Sequence, residues 1–244
     1  MAASGTTAGR VIAVTGASRG IGAAIAAELA RRGFKVGCLT RSGKTPGAHE
    51  SFIPVACDVT DEASVKNAFK ILAEKAGRLD GLVNNAGIHL DGKSSELETK
   101  IFDQVMETNA RAVFVTCREA YPYLAKSGGM IVNIGSFFDK LGVKRNLAYC
   151  ASKAAVGAIT RCLAVEWASK KIRVLNVAPG YIETELNAEA MKGPLRAFLQ
   201  SRVPTGGAGT AADVARLVAS LLGEDNPFLT GETIYLDGGQ GMAH

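Results

Sequence analysis

Val11-Ile12-Ala13-Val14-Thr15-Gly16-Ala17-Ser18-Arg19-Gly20-Ile21-Gly22 passes from a β-branched run into a glycine-rich loop, and that order decides the fold. Val11 to Val14 is short and continuously apolar, the pattern of a strand buried on both faces in a parallel sheet. Gly16, Gly20 and Gly22 permit a tight turn and let backbone N–H groups and a helix N-terminus approach a pyrophosphate. From about Ile21 to Arg32 the residues suit a helix that Gly33 can terminate. Strand, glycine loop and helix open a βαβ unit.

Outward from there, Lys35 to Leu39 reads as a second strand and Phe52 to Cys57 as a third. Pro54 cannot donate to a ladder, so the third strand belongs at an edge, which is its place in the doubly wound order 3-2-1-4-5-6. Gly81 to Asn84, Met130 to Ile134, Arg173 to Ala178 and Thr233 to Leu236 complete the strands. Between them, Thr60 is expected to cap a helix ending at Ala76 before Gly77, and a long helix is expected from Leu97 to Ala125, with Pro122 causing a late kink or an earlier end. Another helix carries Tyr149 and Lys153 to about Ser169, and Thr210 with Asp213 forms a capping-box start for a helix to about Leu222. The expected fold class is α/β: a Rossmann-type, doubly wound, mainly parallel seven-stranded sheet with helices on both faces, a three-layer α/β/α arrangement. Residues 1–9 are expected to be a mobile lead and 10–244 one catalytic domain. Glycine and proline punctuation from Glu183 to Gly209 predicts a mobile lid over the substrate.

With 244 residues, 47% hydrophobic and 21% charged, the chain suits one sizeable core. No stretch approaches the roughly 18 apolar residues of a membrane span, and Met1 to Arg10 lacks a signal-peptide centre, so the expected location is cytoplasmic. Cys38, Cys57, Cys117, Cys150 and Cys162 are scattered, which argues against a disulfide framework or a zinc site. His49, His89 and His244 are too dispersed for a metal cluster. The net charge of +5 is spread among acids without an arginine-rich run, so no nucleic-acid partner is expected.

Tyr149-Cys150-Ala151-Ser152-Lys153, with Ser136 thirteen positions earlier, suggests chemistry. Residues four apart share a helix face, so the phenol and the ammonium reach one small volume. Work near neutrality needs the phenol lowered by ~2–3 units, or ~3–4 kcal/mol. A positive charge about 5 Å away at an effective dielectric of ~20 supplies roughly 3 kcal/mol.

The loop Thr15-Gly16-x-x-x-Gly20-x-Gly22, Asp58-Val59, Asn84-Asn85-Ala86-Gly87, Asn109, Ser136, Tyr149-x-x-x-Lys153, Pro179-Gly180 with Ile182 and Thr184, and Asp237-Gly238-Gly239 follow one another in order. Together, over about residues 10–240, they resemble the short-chain dehydrogenase/reductase family, closest in appearance to 3-oxoacyl-acyl-carrier-protein reductases. The resemblance implies hydride exchange between nicotinamide C4 and a carbonyl carbon, with Tyr149 as proton donor or acceptor, Ser136 on the substrate oxygen, Lys153 on the phenol and the nicotinamide ribose, and Asn109 positioning Lys153 through a water. It implies cofactor contacts at Gly16, Ser18, Arg19, Gly20, Ile21, Gly22, Asp58, Val59, Asn84, Ala86, Gly87, Tyr149, Lys153, Pro179, Gly180, Ile182 and Thr184.

Thr40 and Arg41 stand where an NAD-preferring site places an acid, and Arg19 can face the same 2′-phosphate, so the expected cofactor is NADP(H). The substrate is expected to be a small-molecule carbonyl or alcohol touching Ser136, Phe137, Phe138, Tyr149 and Tyr181. A 3-oxoacyl thioester on acyl carrier protein or coenzyme A ranks first; small ketones, aldehydes, sugars or other alcohols are the alternative. A non-catalytic NADP-binding sensor is the reading of a different class. Family resemblance implies a homotetramer or homodimer; hydropathy, charge distribution and the scattered cysteines and histidines lead to the expectation of no membrane, nucleic-acid or metal partner.

Overall fold

A computed structural model describes residues 7–185 and 188–242. Residues 1–6 of the expected lead, 186–187 of the expected lid and the terminal 243–244 lie outside the described residues. In chain order the elements are β1 (Val11–Thr15), α1 (Gly20–Arg31), β2 (Lys35–Thr40), β3 (Phe52–Ala56), α2 (Glu62–Ala76), β4 (Gly81–Asn84), α3 (Thr99–Met106), a π-helical turn (Glu107–Arg111), α4 (Ala112–Leu124), β5 (Gly129–Ile134), α5 (Leu147–Trp167), β6 (Ile172–Pro179), β7 (Ile182–Glu183), α6 (Pro194–Arg202), β8 (Gly209–Thr210), α7 (Ala211–Gly223) and β9 (Thr233–Leu236).

Seven strands form one sheet in the order β3-β2-β1-β4-β5-β6-β9, every pairing parallel. Pro54 sits on the edge strand β3, opposite Cys38 of β2, where a missing donor costs no ladder bond. Alternate residues of β1 face opposite layers: Ile12 and Val14 pack with α1 and α7, while Val11 and Ala13 pack with α2, α4 and α5. Strand order reverses between β1 and β4, and an open parallel sheet binds ligands at such a switch, outside the carboxyl ends of its strands. The glycine loop and Asn84-Asn85-Ala86-Gly87 both emerge there.

The buried strands include a polar row. Asn84, Asn133 and Asn176 stand in register on β4, β5 and β6, and helices answer the first two. Thr116 Oγ1 of α4 donates to Asn84 Oδ1 at 2.7 Å, Asn84 Nδ2 donates to Asn133 Oδ1 at 2.9 Å, and Asn133 Nδ2 donates to Thr160 Oγ1 of α5 at 2.9 Å. These bonds fix strand-to-helix register beneath the site, while Asn176 Nδ2 donates to Thr233 Oγ1 of β9 at 3.2 Å and its buried Oδ1 has no hydrogen-bond partner.

Three expectations are corrected. Asp61, not Thr60, caps α2: its carboxylate accepts from Ala63 N, while Thr60 donates its hydroxyl to Asp58 at 2.8 Å. The helix expected from Leu97 to Ala125 begins at Thr99 and is interrupted by the π-helical turn, whereas Pro122 lies within the last turn of α4 without ending it. The irregular stretch expected from Glu183 to Gly209 contains α6, because Pro194 is its first residue, where its missing N–H costs nothing. β7 and β8 pair at the two ends of this stretch and close it.

Candidate active site

The expected proton-transfer residues lie on α5 and at the end of β5. Lys153 lies one turn after Tyr149, its ammonium 5.6 Å from the phenol ring centroid. Lys153 is buried, and Nζ donates to the Ile134 carbonyl at 2.8 Å. Burial without a carboxylate partner lowers this ammonium to about 8. Burial also pushes the Tyr149 phenol above its ordinary value, and the Ser136 hydroxyl offsets part of that rise. Lys153 is expected from the sequence to lower this phenol; in the structure burial is the largest influence on it and the Ser136 hydroxyl is the group that opposes the rise. Ser136, buried at the exit of β5, accepts a bond from Phe138 N at 3.2 Å. That bond fills a lone pair and leaves the hydroxyl proton free to donate.

Asn109 lies in the π-helical turn and is 1% exposed. Its Nδ2 donates to the Ile88 carbonyl at 2.8 Å and to Ser152 Oγ at 3.1 Å, and its Oδ1 accepts from Ile88 N at 2.8 Å. Ser152 Oγ donates in turn to the Tyr149 carbonyl at 2.8 Å. Asn109 thus ties the loop after β4 to the first turn of α5, and its direct partners are Ile88 and Ser152 rather than Lys153. Single π-helical turns of this kind recur at functional sites.

The glycine loop makes a cradle. Gly16 has a left-handed φ of 67°, and a Cβ on Gly22 would lie 2.3 Å from the Gly16 carbonyl oxygen. Neither place admits a side chain. The N-terminal turn of α1 has no acidic residue and no side-chain cap, so its N–H groups and the positive end of the helix dipole stay available to an anion. Thr15 Oγ1 accepts from Asn85 N at 3.0 Å and Ala86 N at 3.1 Å, which locks Asn84-Asn85-Ala86-Gly87 against the loop. A cavity of about 620 Å³ opens beside it, lined by Ser18, Arg19, Gly20, Pro46, Glu183 and Thr184 among others. Room, backbone donors and an uncapped helix start fit a dinucleotide phosphate.

The remaining expected cofactor residues divide. Ile21 and Val59 pack their side chains against the two cores, so what they can offer a ligand is backbone. Thr40 is buried and donates its hydroxyl to the Lys44 carbonyl at 3.0 Å, and Arg41 lies near enough to Asp58 to help hold that carboxyl below its usual range, after the two bonds from Thr60. Pro179 ends β6, and a Cβ on Gly180 would lie 2.8 Å from Asp237 Cα, which brings Asp237-Gly238-Gly239 against this segment. Ile182 is buried in β7.

Aromatic rings form one wall. Phe137 and Phe138 are buried, Tyr181 packs edge-on to both at 5.5 and 6.0 Å, and Phe138 meets Tyr149 edge-on at 6.0 Å. On another side of Tyr149 stands His89, 4.5 Å between ring centroids. Thr15, Asn85 and Ser152 were not singled out from sequence as site residues, whereas His89 and Asn146 fall in the stretches Ile88 to Ser95 and Phe137 to Leu147 that the sequence offers as walls of a substrate pocket. The second asparagine of Asn84-Asn85 was a usable signal for Asn85; the others depend on which loop folds against which helix.

Compared with known proteins, residues 16–240 match a family model described as enoyl-(acyl carrier protein) reductase. The chain is 36% identical to a human 3-oxoacyl-[acyl-carrier-protein] reductase, covering 94% of this chain and 97% of that protein. It is 33% identical to the D-threitol dehydrogenase of Mycolicibacterium smegmatis, covering 95% and 92%. The solved structure of ElxO with NADP bound superposes with a TM-score of 0.88 at 32% identity, covering 95% of this chain and 98% of that one.

Proposed function

The chain belongs to the short-chain dehydrogenase/reductase family, and from that premise we propose that it is an NADPH-dependent oxidoreductase acting on a carbonyl or secondary alcohol. The observation that carries this reading is the convergence of Ser136, Tyr149 and Lys153 at the strand ends beside the glycine cradle. When bound, the nicotinamide supplies or takes up the hydride at C4. Tyr149 gives its proton to the carbonyl oxygen in reduction and takes one from the alcohol in oxidation. Ser136 donates a hydrogen bond to the same oxygen, and Lys153 presents its charge to the phenol and to the cofactor ribose. Asn109 and Ser152 keep the first turn of α5 in place.

NADP(H) is favoured over NAD(H) because no acid stands at Thr40, while Arg19 is exposed at the cavity and Arg41 follows β2. A 2′-phosphate held by charge-assisted bonds gains ~1.5–3 kcal/mol, which corresponds to a preference of at least about tenfold. A 3-oxoacyl thioester ranks first as substrate, supported by the likeness to the human reductase of that name. Small hydroxylated carbonyls and alcohols are the second reading, favoured by the polar His89–Asn146 pair beside Tyr149. The testing experiment is an NADPH-oxidation screen over acetoacetyl thioesters, diketones, aldehydes, quinones and keto sugars. Turnover of at least one carbonyl is expected; tight NADPH binding with no turnover of any would favour a sensor instead.

A further inference from the structure

His89 follows the Asn84-Asn85-Ala86-Gly87 turn and is exposed, its ring packed at 45° on that of Tyr149. Nε2 of His89 is hydrogen-bonded to Asn146 Oδ1. The orientation of the Asn146 amide is set by its own donor, since Nδ2 donates to the Lys144 carbonyl at 2.9 Å. Oδ1 is therefore the acceptor, and Nε2 of His89 must carry the hydrogen. In a neutral imidazole one nitrogen donates and the other accepts, so Nδ1 keeps an open lone pair. No hydrogen bond occupies Nδ1 among the described residues. The two loops that hold the pair are joined twice more, by Arg145 Nε to Asp91 Oδ2 at 2.9 Å and by Gly92 N to the Arg145 carbonyl at 2.8 Å. These links hold an acceptor of fixed tautomer next to the phenol that meets the reacting oxygen.

We propose that His89 is a substrate-contacting residue whose Nδ1 accepts a hydrogen bond from a hydroxyl on the carbon beside the reacting carbonyl, so that the site selects hydroxyketones and the corresponding diols. The proposal rests on the reductase reading above and decides between its two substrate classes. An oxygen that only accepts, such as a thioester carbonyl, finds no donor at this nitrogen. A hydroxyl does.

Hydroxyacetone and butan-2-one have the same number of heavy atoms and differ in one hydroxyl in place of a methyl, so the pair isolates the contact. The measurement is kcat/KM for both, with NADPH, in the wild type and in His89→Phe, which keeps a ring against Tyr149 and removes the acceptor. The wild type is expected to favour hydroxyacetone about tenfold, in line with one net hydrogen bond, and His89→Phe to bring the two ketones to near parity while butan-2-one stays within about twofold of wild type. No preference in the wild type, an unchanged preference in His89→Phe, or equal loss of both ketones in that variant overturns the assignment. So does a wild type that reduces an acetoacetyl thioester but neither ketone, an outcome that leaves the reductase reading intact. Failure of every carbonyl to support NADPH oxidation is the distinct result that removes the reductase reading and this inference with it.

Discussion

Burial acts on Tyr149 and Lys153 in opposite senses, raising the phenol and lowering the ammonium to about 8. A raised phenol is protonated at neutral pH, the form that reduction requires, whereas oxidation requires the phenolate. The oxidative rate should therefore climb with pH across the alkaline range while the reductive rate holds, which initial rates in the two directions will check. Lys153 makes a separate prediction about stability. Its unfolded value is near 10.5 and its folded value about 8, so the unfolded chain binds more protons between those limits and stability rises with pH there. The cost of the buried charge is complete below pH 8 and relieved toward 10.5. Lys153→Met lacks that cost, so its advantage in Tm over the wild type should shrink from pH 8 to pH 10; a growing advantage would contradict the assignment. Tyr149 and Lys153 were legible in the sequence because four-residue spacing on a helix is local. The balance of their acidities was not, since desolvation depends on the Ile134 carbonyl and on residues brought from other strands.

The glycine loop shows how a short element fixes a site. A methyl on Gly22 would collide with the Gly16 carbonyl at 2.3 Å and with the Asn85 amide at 2.4 Å, so the loop must open to admit it. Gly22→Ala should weaken dinucleotide binding at least tenfold by cofactor fluorescence while leaving the far-ultraviolet circular dichroism unchanged. At α7 the capping box is complete: Thr210 Oγ1 accepts from Asp213 N and Asp213 Oδ2 accepts from Thr210 N. Thr210→Ala should cost ~1 kcal/mol, a fall of roughly 2–4 °C in Tm for a domain of this size. This box was readable because cap and partner are three residues apart. The rival caps Thr60 and Asp61 differ by one position, and only the turn built on Asp58 settles which of them faces α2.

At the scale of the whole molecule, the sheet order was legible from Pro54 and from alternating strands and helices, while the buried asparagine row was not, because its partners Thr116 and Thr160 come from helices distant in sequence. Among the described residues no helix is long and apolar enough to cross a membrane. The outer faces of α4 and α5 expose Phe114, Leu147 and Val165, the last 81% exposed. Apolar side chains along neighbouring helices suit a second copy of the chain, in keeping with the family expectation of a dimer or tetramer. Size-exclusion chromatography with light scattering should show such an assembly, and Phe114→Glu with Val165→Glu should reduce it to a smaller species; an unchanged mass in that double variant would place the interface elsewhere.

The role proposed for Tyr149 is to move the proton in an NADPH-linked carbonyl reduction. Its most direct test is Tyr149→Phe, assayed for turnover against whichever carbonyl the wild type reduces and, in parallel, for NADPH affinity. Loss of kcat by several orders of magnitude with Kd for NADPH unchanged within about threefold is the predicted result. Turnover near that of the wild type would contradict it.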